Sequence, residues 1–242
     1  GIASSGGAGM ALAEWIVAGE PTLDLWPVDI RRFAGFHGND AWLRDRVAET
    51  LGLHYKMPWP QRELESGRPF RRSPLYDRLK ARGAWFGNKM GWERPNWFAG
   101  AGRTPDMQYG WGRGTWFDAV ATEHRATREA VTVVDETAFG KFLVQGRDAE
   151  TALQLLCTND VAVLVGRSVY TGLLNKRGTY ESDVTISRLA HDRFLLITGS
   201  AQVVRDPDWI GRNIGDLRAS VTDVTASWTV LSVMGPSSRK LL

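Results

Sequence analysis

Apolar positions along the second half of the chain follow two periods. From 183 to 187 they alternate, with Val184 and Ile186 facing one way and Asp183, Thr185 and Ser187 the other, the pattern of a half-buried strand. The same logic predicts strands over 131–134, 141–144, 168–174, 179–189, 194–198, 221–224 and 228–234. Asn175-Lys176-Arg177-Gly178 has turn chemistry and joins two of them as a hairpin. Between strands the spacing becomes helical: over 117–130, over a segment capped by Asp148 that carries Ala152, Leu153, Leu155 and Leu156, and over 201–213 with an interruption near Pro207.

The first half reads differently. Residues 1–18 predict a strand end, a glycine loop and a helix N-terminus, with Met10, Ala13, Glu14 and Val17 at helical spacing. Asn39 or Asp40 caps a helix over 41–51 that Gly52 closes, and Ser73-Pro74 opens a short one, striped by Leu75, Tyr76 and Leu79, that Gly83 ends. Residues 19–38 and 53–72 read as irregular. Residues 84–116 place Trp85, Trp92, Trp97, Trp111 and Trp116 among glycines, a loop-rich stretch with one strand at 84–91. The texture changes near residue 116. Helices mixed with partly hairpin-linked strands give an α+β fold class.

Composition narrows this picture. A chain of 242 residues, 43% apolar and 24% charged, holds two domains' worth of globular sequence. No apolar run reaches transmembrane length. Cys157 is the only cysteine, which excludes an internal disulfide and any multi-Cys zinc site, and the four histidines share no ligand spacing, so no metal is expected. The net charge of +3 is mild for a nucleic-acid binder. The stretch from Arg31 to Arg125, densest at Arg31-Arg32 and Arg71-Arg72, interleaves basic residues with tryptophans. That mixture suits single-stranded nucleic acid or an arginine-rich domain interface, and the interspersed Glu63, Glu65, Asp77 and Glu93 favour the interface. The start at Gly1, and a helix-start signal at Gly235-Pro236-Ser237-Ser238 with only a turn and a half after it, suggest an interior segment of a longer protein.

Candidate chemistry is sparse. Gly6-Gly7-Ala8-Gly9 before a helix is either a tight turn or a place where an anion or an electron-rich carbonyl approaches the backbone. Asp183 is a carboxylate in mid-strand, on either a solvated face or in a polar pocket, and Tyr170 lies on the partner strand. Together a ring and a carboxylate can stack a flat heterocycle and bind its N–H groups; alone, Tyr170 is ordinary core. Cys157 follows an apolar helix and reads as core.

Assembled, these pieces resemble a known family. GIASSGGAGMALAEWI is similar to the last strand, loop and helix of a glycine- or sarcosine-oxidase-type flavin domain. DIRRF at 29–33 and GWERPNWF at 91–98 resemble the central region of sarcosine and dimethylglycine dehydrogenases. From about Ala119 the chain resembles the glycine-cleavage T-protein (aminomethyltransferase) domain that closes those enzymes, in VD at 134–135, FGKF at 139–142, LCTNDV at 156–161, YTGLLN at 170–175, ESDVT at 181–185 and MGP at 234–236.

The resemblance implies three parts: residues 1–20 as the end of a FAD-binding oxidoreductase domain, 21–116 as a small loop-rich central domain, and 117–242 as the first part of a mixed aminomethyltransferase-like folate domain. It implies FAD and tetrahydrofolate as cofactors. A flavin would take hydride from an N-methyl amine, and the folate domain would receive the one-carbon unit. Gly6, Gly7, Gly9 and Met10 would lie at the pyrimidine edge of the flavin. Asp183 would bind the pterin side and assist the transfer, with Tyr170, Phe139 and Thr198 lining the folate pocket. Gly199 stands where the T-protein usually has an asparagine. The segment alone is expected to be inactive. Implied partners are the small amine and an electron-transfer flavoprotein or oxygen, with no nucleic acid and no membrane, in bacterial cytoplasm or mitochondrial matrix. Two other readings are a stand-alone T-protein-like aminomethyltransferase, which the flavin-facing glycines argue against, and a non-enzymatic basic, Trp-rich binding module.

Overall fold

A computed structural model describes residues 2–242. Its centre is a five-stranded antiparallel sheet made of β4 (Gly140–Gln145), β5 (Ser168–Leu174), β6 (Tyr180–Ala190), β7 (Arg193–Thr198) and β8 (Ser220–Asp223), in the order β5-β6-β7-β4-β8. Two helices cover one face. α5 (Ala149–Leu156) buries Ala149, Ala152, Leu153 and Leu156, the i, i+3, i+4, i+7 stripe of an amphipathic helix. α6 (Arg205–Asn213) buries Trp209 and Ile210. Beneath them pack Phe142, Val144, Leu173, Val184, Ile186, Phe194 and Leu196, all 1% exposed or less. Each such side chain contributes about 1.5–3 kcal/mol on burial, so the molecule's main core lies here.

Around this core stand α1 (Ser5–Ala18), α2 (Asp40–Leu53), α3 (Tyr76–Ala81), the β1–β2 hairpin (Ala84–Lys89, Trp92–Phe98), α4 (Phe117–Glu129), the β3–β9 pair (Thr132–Asp135, Leu231–Met234) and α7 (Ser238–Leu241). Asn39 caps α2 as expected, its side chain accepting from the Trp42 N–H at 3.0 Å. Gly83 ends α3 at φ +79°, with a carbonyl 2.4 Å from where a Cβ would sit, so both backbone sign and space call for glycine.

Several expectations are corrected. Gly6, Gly7, Gly9 and Met10 sit inside α1, which follows a 3₁₀ turn at Ile2–Ser4; among the described residues there is neither strand nor glycine loop here, because glycine weakens a helix without breaking it as proline does. No residue of α1 is buried. GWERPNWF, read as loop, contains strand β2, with Phe86 opposite Pro95 and a bulge after Trp85. A two-stranded ribbon has free edges, which is where proline is tolerated. The helix expected over 201–213 is a 3₁₀ turn at Ser200–Gln202 followed by α6, with Pro207 in its first turn, where a missing N–H costs nothing. Asp148 stands at the start of α5 but caps elsewhere: its Oδ2 accepts the Arg218 N–H at 2.9 Å.

Candidate functional site

The β5–β6 hairpin presents the main candidate. Asn175 builds its turn, accepting from the Arg177 and Thr179 N–H groups and donating its side-chain amide to Thr179 Oγ1 and Glu181 Oε1. The register sets Gly172 opposite Asp183 and Tyr170 opposite Thr185. Val184 and Ile186 point into the core, so Asp183 and Tyr170 share the sheet's other, open face. The Tyr170 hydroxyl donates to Asp183 Oδ2 at 2.8 Å, while the ring stays 66% exposed. That bond, and then the carboxylate's charge, raise the Tyr170 phenol above its ordinary range. Tyr180 is exposed on the same face, its ring lying over Gly172; a Cβ there would meet the ring at 2.6 Å. Two open phenol faces beside a solvated carboxylate can stack a flat heterocycle and accept its N–H protons.

Phe139 directly precedes Gly140, which pairs with Thr198, which pairs with Val184. It therefore lies at the same end of the sheet as Asp183, and it lines a cavity beside the β1–β2 hairpin. Gly199 is at this end too, with nothing within 4 Å of the position of a Cβ. Thr198 differs from expectation. Strand alternation turns it to the core face, where it is 2% exposed and donates to Asp206 Oδ2 at 2.5 Å. It is not on the face that carries Asp183 and Tyr170. Ser182 donates to the same oxygen at 2.9 Å, and burial pushes the Asp206 carboxyl up to about 6.

Sequence reasoning missed the roles of four charged residues. Lys141 is fully buried, and its Nζ donates to the Thr137 and Trp228 carbonyls at 2.7 and 3.0 Å; burial lowers its pKa. Asp206 and the Arg68–Glu93 pair are the others. A charge amid apolar strand residues, as in KFLV at 141–144, was the available signal for Lys141. Cys157 is half-buried, and burial drives its thiol up to about 12.

The four residues expected at a flavin edge stand apart from all this. Gly6, Gly7 and Gly9 are exposed, an added Cβ meets nothing within 4 Å, and Met10 is exposed as well. These four make no cradle within this chain. The basic stretch is largely engaged internally: Arg31 pairs with Asp29 and Asp208, Arg72 pairs with Asp77, and Arg71 stacks over Phe36. Among the described residues no group of His, Cys, Asp and Glu is arranged to hold a metal ion, and no helix is long and apolar enough to cross a membrane.

Comparison with known proteins gives the class. Residues 18–73 match the FAD dependent oxidoreductase central domain, and residues 75–242 match the GCVT N-terminal domain. The fold agrees with that of glycine cleavage system aminomethyltransferase T from Bartonella henselae, at a TM-score of 0.56 and 25% identity over 72% of this chain and 43% of that one. A FAD-dependent oxidoreductase segment joined to a T-protein-type domain is thus what the fold and sequence define. The chain belongs to the family of sarcosine and dimethylglycine dehydrogenases. Over its whole length it is 43% identical to 4-methylaminobutanoate oxidase (formaldehyde-forming) of Paenarthrobacter nicotinovorans, 37% to the mitochondrial pyruvate dehydrogenase phosphatase regulatory subunit of Mus musculus and 34% to mitochondrial dimethylglycine dehydrogenase of Mus musculus. It spans 29%, 28% and 28% of those relatives' lengths.

Proposed function

We propose that this chain is the central and folate-facing part of a flavin-dependent enzyme that oxidatively demethylates a small N-methyl amino acid and passes the one-carbon unit to tetrahydrofolate. The observation that carries the reading is the Tyr170–Asp183 pair, open on the sheet face of a T-protein-type domain. Asp183 accepts N–H protons from the pterin and holds negative charge near the iminium carbon as it is transferred. Tyr170 keeps that carboxylate oriented, and Tyr170 and Tyr180 offer ring faces to the heterocycle. Phe139 borders the same end of the site. The donor set fits folate. The α1 residues do not by themselves fit a flavin, so no step is assigned to them. When bound, FAD would supply the hydride acceptor, with an electron-transfer flavoprotein or oxygen as the final electron acceptor.

The experiment uses the full-length protein with Asp183→Asn. Flavin reduction by substrate is expected to stay within about twofold, while methylenetetrahydrofolate yield falls about tenfold or more and formaldehyde appears instead. Collapse of flavin reduction would show that Asp183 serves the oxidation site. A second reading has support in the relative named as formaldehyde-forming: oxidation without folate capture. Equal formaldehyde release by wild type with and without tetrahydrofolate would favour it. No turnover of any N-methyl amine would favour a regulatory role like that of the phosphatase subunit.

A further inference from the structure

The strand that carries Asp183 is gripped from the core side by the first turn of α6. Ser182, the residue before Asp183, donates its hydroxyl to Asp206 Oδ2 at 2.9 Å. Thr198 of β7 pairs with Val184, the residue after Asp183, and donates to the same oxygen at 2.5 Å. One carboxylate thus ties β6 to β7 on both sides of Asp183. Ser182, Thr198 and Asp206 are all buried. The neighbouring Arg205 holds Glu181, one residue further back, at 2.7 Å. Asp183 itself is exposed on the opposite face, where its Oδ2 accepts from Tyr170.

Core packing does not call for a carboxylate here. Asparagine has nearly the same shape and would offer both hydroxyls an acceptor with no charge to desolvate. Burial drives the Asp206 carboxyl up to about 6; the two hydroxyls and Arg205 work against it, and the Asp183 charge adds to it. The charges that face Asp206 are therefore Arg205 on its own helix, which also pairs with Asp24 and Glu181, and Asp183 on β6, while β7 contributes the Thr198 hydroxyl. At neutral pH the group is mostly ionised. An ionised carboxylate is acceptor-only and draws in both hydroxyls through charge-assisted bonds, whereas a neutral acceptor holds them more weakly. A buried charge that costs stability beside an open polar site fits a trade of stability for function.

We propose that Asp206 is a positioning residue for the Asp183 site: by gripping Ser182 and Thr198 it fixes the β6 backbone, and so where the Asp183 carboxylate meets the pterin N–H groups, a role that rests on the folate reading of that face. The grip is tightest with Asp206 ionised, so folate affinity rises as pH climbs through the range in which this group loses its proton.

The test is calorimetric titration of the full-length protein with folinate, a stable reduced folate, from about pH 5 to about pH 8. Backbone amide exchange over residues 180–187, followed by mass spectrometry without ligand, is the second readout. Wild type is expected to bind about threefold or more tightly at the upper pH than at the lower. Asp206→Asn is expected to lose that difference, to bind about fivefold or more weakly at the upper pH, and to exchange 180–187 severalfold faster, although its neutral side chain makes the whole fold more stable there. A purely structural Asp206 would give the opposite: the more stable variant would bind and exchange at least as well as wild type, and that result overturns the proposal. Absence of folinate binding by wild type at every pH would refute the folate reading instead, and amide exchange would then decide the positioning role alone. If Asp206→Asn does not fold, Ser182→Ala removes one of the two donors: it is expected to move both readouts in the same direction, and wild-type behaviour there overturns the proposal equally.

Discussion

Asp206 is 1% exposed and receives two hydroxyl donors on one carboxylate oxygen. Its folded pKa of about 6 lies above the ordinary carboxylate value of 3.8. Between those two values the folded state holds a proton that the unfolded state has lost, so stability falls as pH rises through this window and the loss is complete above it. Two units correspond to roughly 3 kcal/mol. Asp206→Asn keeps an acceptor for Ser182 and Thr198 but cannot ionise. It is expected to raise stability by about 1–3 kcal/mol at pH 8 and to change little at pH 4, measured by urea denaturation at both. Asp183 was legible in the sequence because an acid on the polar side of an alternating strand stands out. Thr198 was not, because at the end of a strand one step of register decides the face, and a threonine suits either one. Asp206 was illegible for a related reason: it is a charged residue at a core position, and only the folded geometry shows the hydroxyls that satisfy it; for Lys141 the charge amid apolar strand residues was a signal, but not the carbonyls that satisfy it.

The β1–β2 hairpin shows what element-scale reading misses. GWERPNWF stands out as a motif, yet Pro95 and the bulge after Trp85 erase the alternation that marks a strand. What holds the hairpin is chemistry from the preceding loop. Arg68 grips Glu93 with two bonds, Nε–Oε1 at 3.0 Å and Nη2–Oε2 at 2.5 Å, and donates also to the Leu64 and Phe86 carbonyls. Asn88 adds a bond to the same carboxylate. Glu93 is 5% exposed, so removing its partner strands a buried charge. Arg68→Ala is expected to cost about 3–5 kcal/mol in thermal or chemical unfolding, and Arg68→Ala with Glu93→Gln less than that. By contrast α5, β5 and the hairpin turn were readable, because their apolar stripe, alternation and turn residues agree with one another.

At the scale of the whole molecule, polar clasps hold the irregular segment after α1 against the large sheet. Arg205 at the start of α6 pairs with Asp24 at 3.1 Å and with Glu181 at 2.7 Å. Arg31 reaches Asp208 at 3.5 Å, and Arg177 in the hairpin turn donates to the Thr22 carbonyl at 2.9 Å. Partly exposed pairs of this kind contribute about 0.2–1 kcal/mol each and weaken with salt. The attachment is therefore expected to open before the core does. Arg205→Ala should speed limited proteolysis within residues 19–38 severalfold at low salt and less at high salt, where the wild-type clasp is already screened, while the far-ultraviolet dichroism and melting of the sheet stay near those of wild type. These clasps join distant stretches of sequence with ordinary charged residues, which carry no periodicity, so apart from the arginine-rich stretch that opens at Arg31 nothing in the sequence pointed to their partners.

The chain's only thiol also has a practical side. With its pKa near 12, Cys157 holds about one part in 10⁵ as thiolate at pH 7. Alkylating reagents at neutral pH will pass it by. A cysteine placed at an exposed position in the hairpin turn, Lys176 for instance, would then react alone and could carry a spectroscopic label, so that ligand arrival at the open sheet face could be followed without first removing the native sulfur.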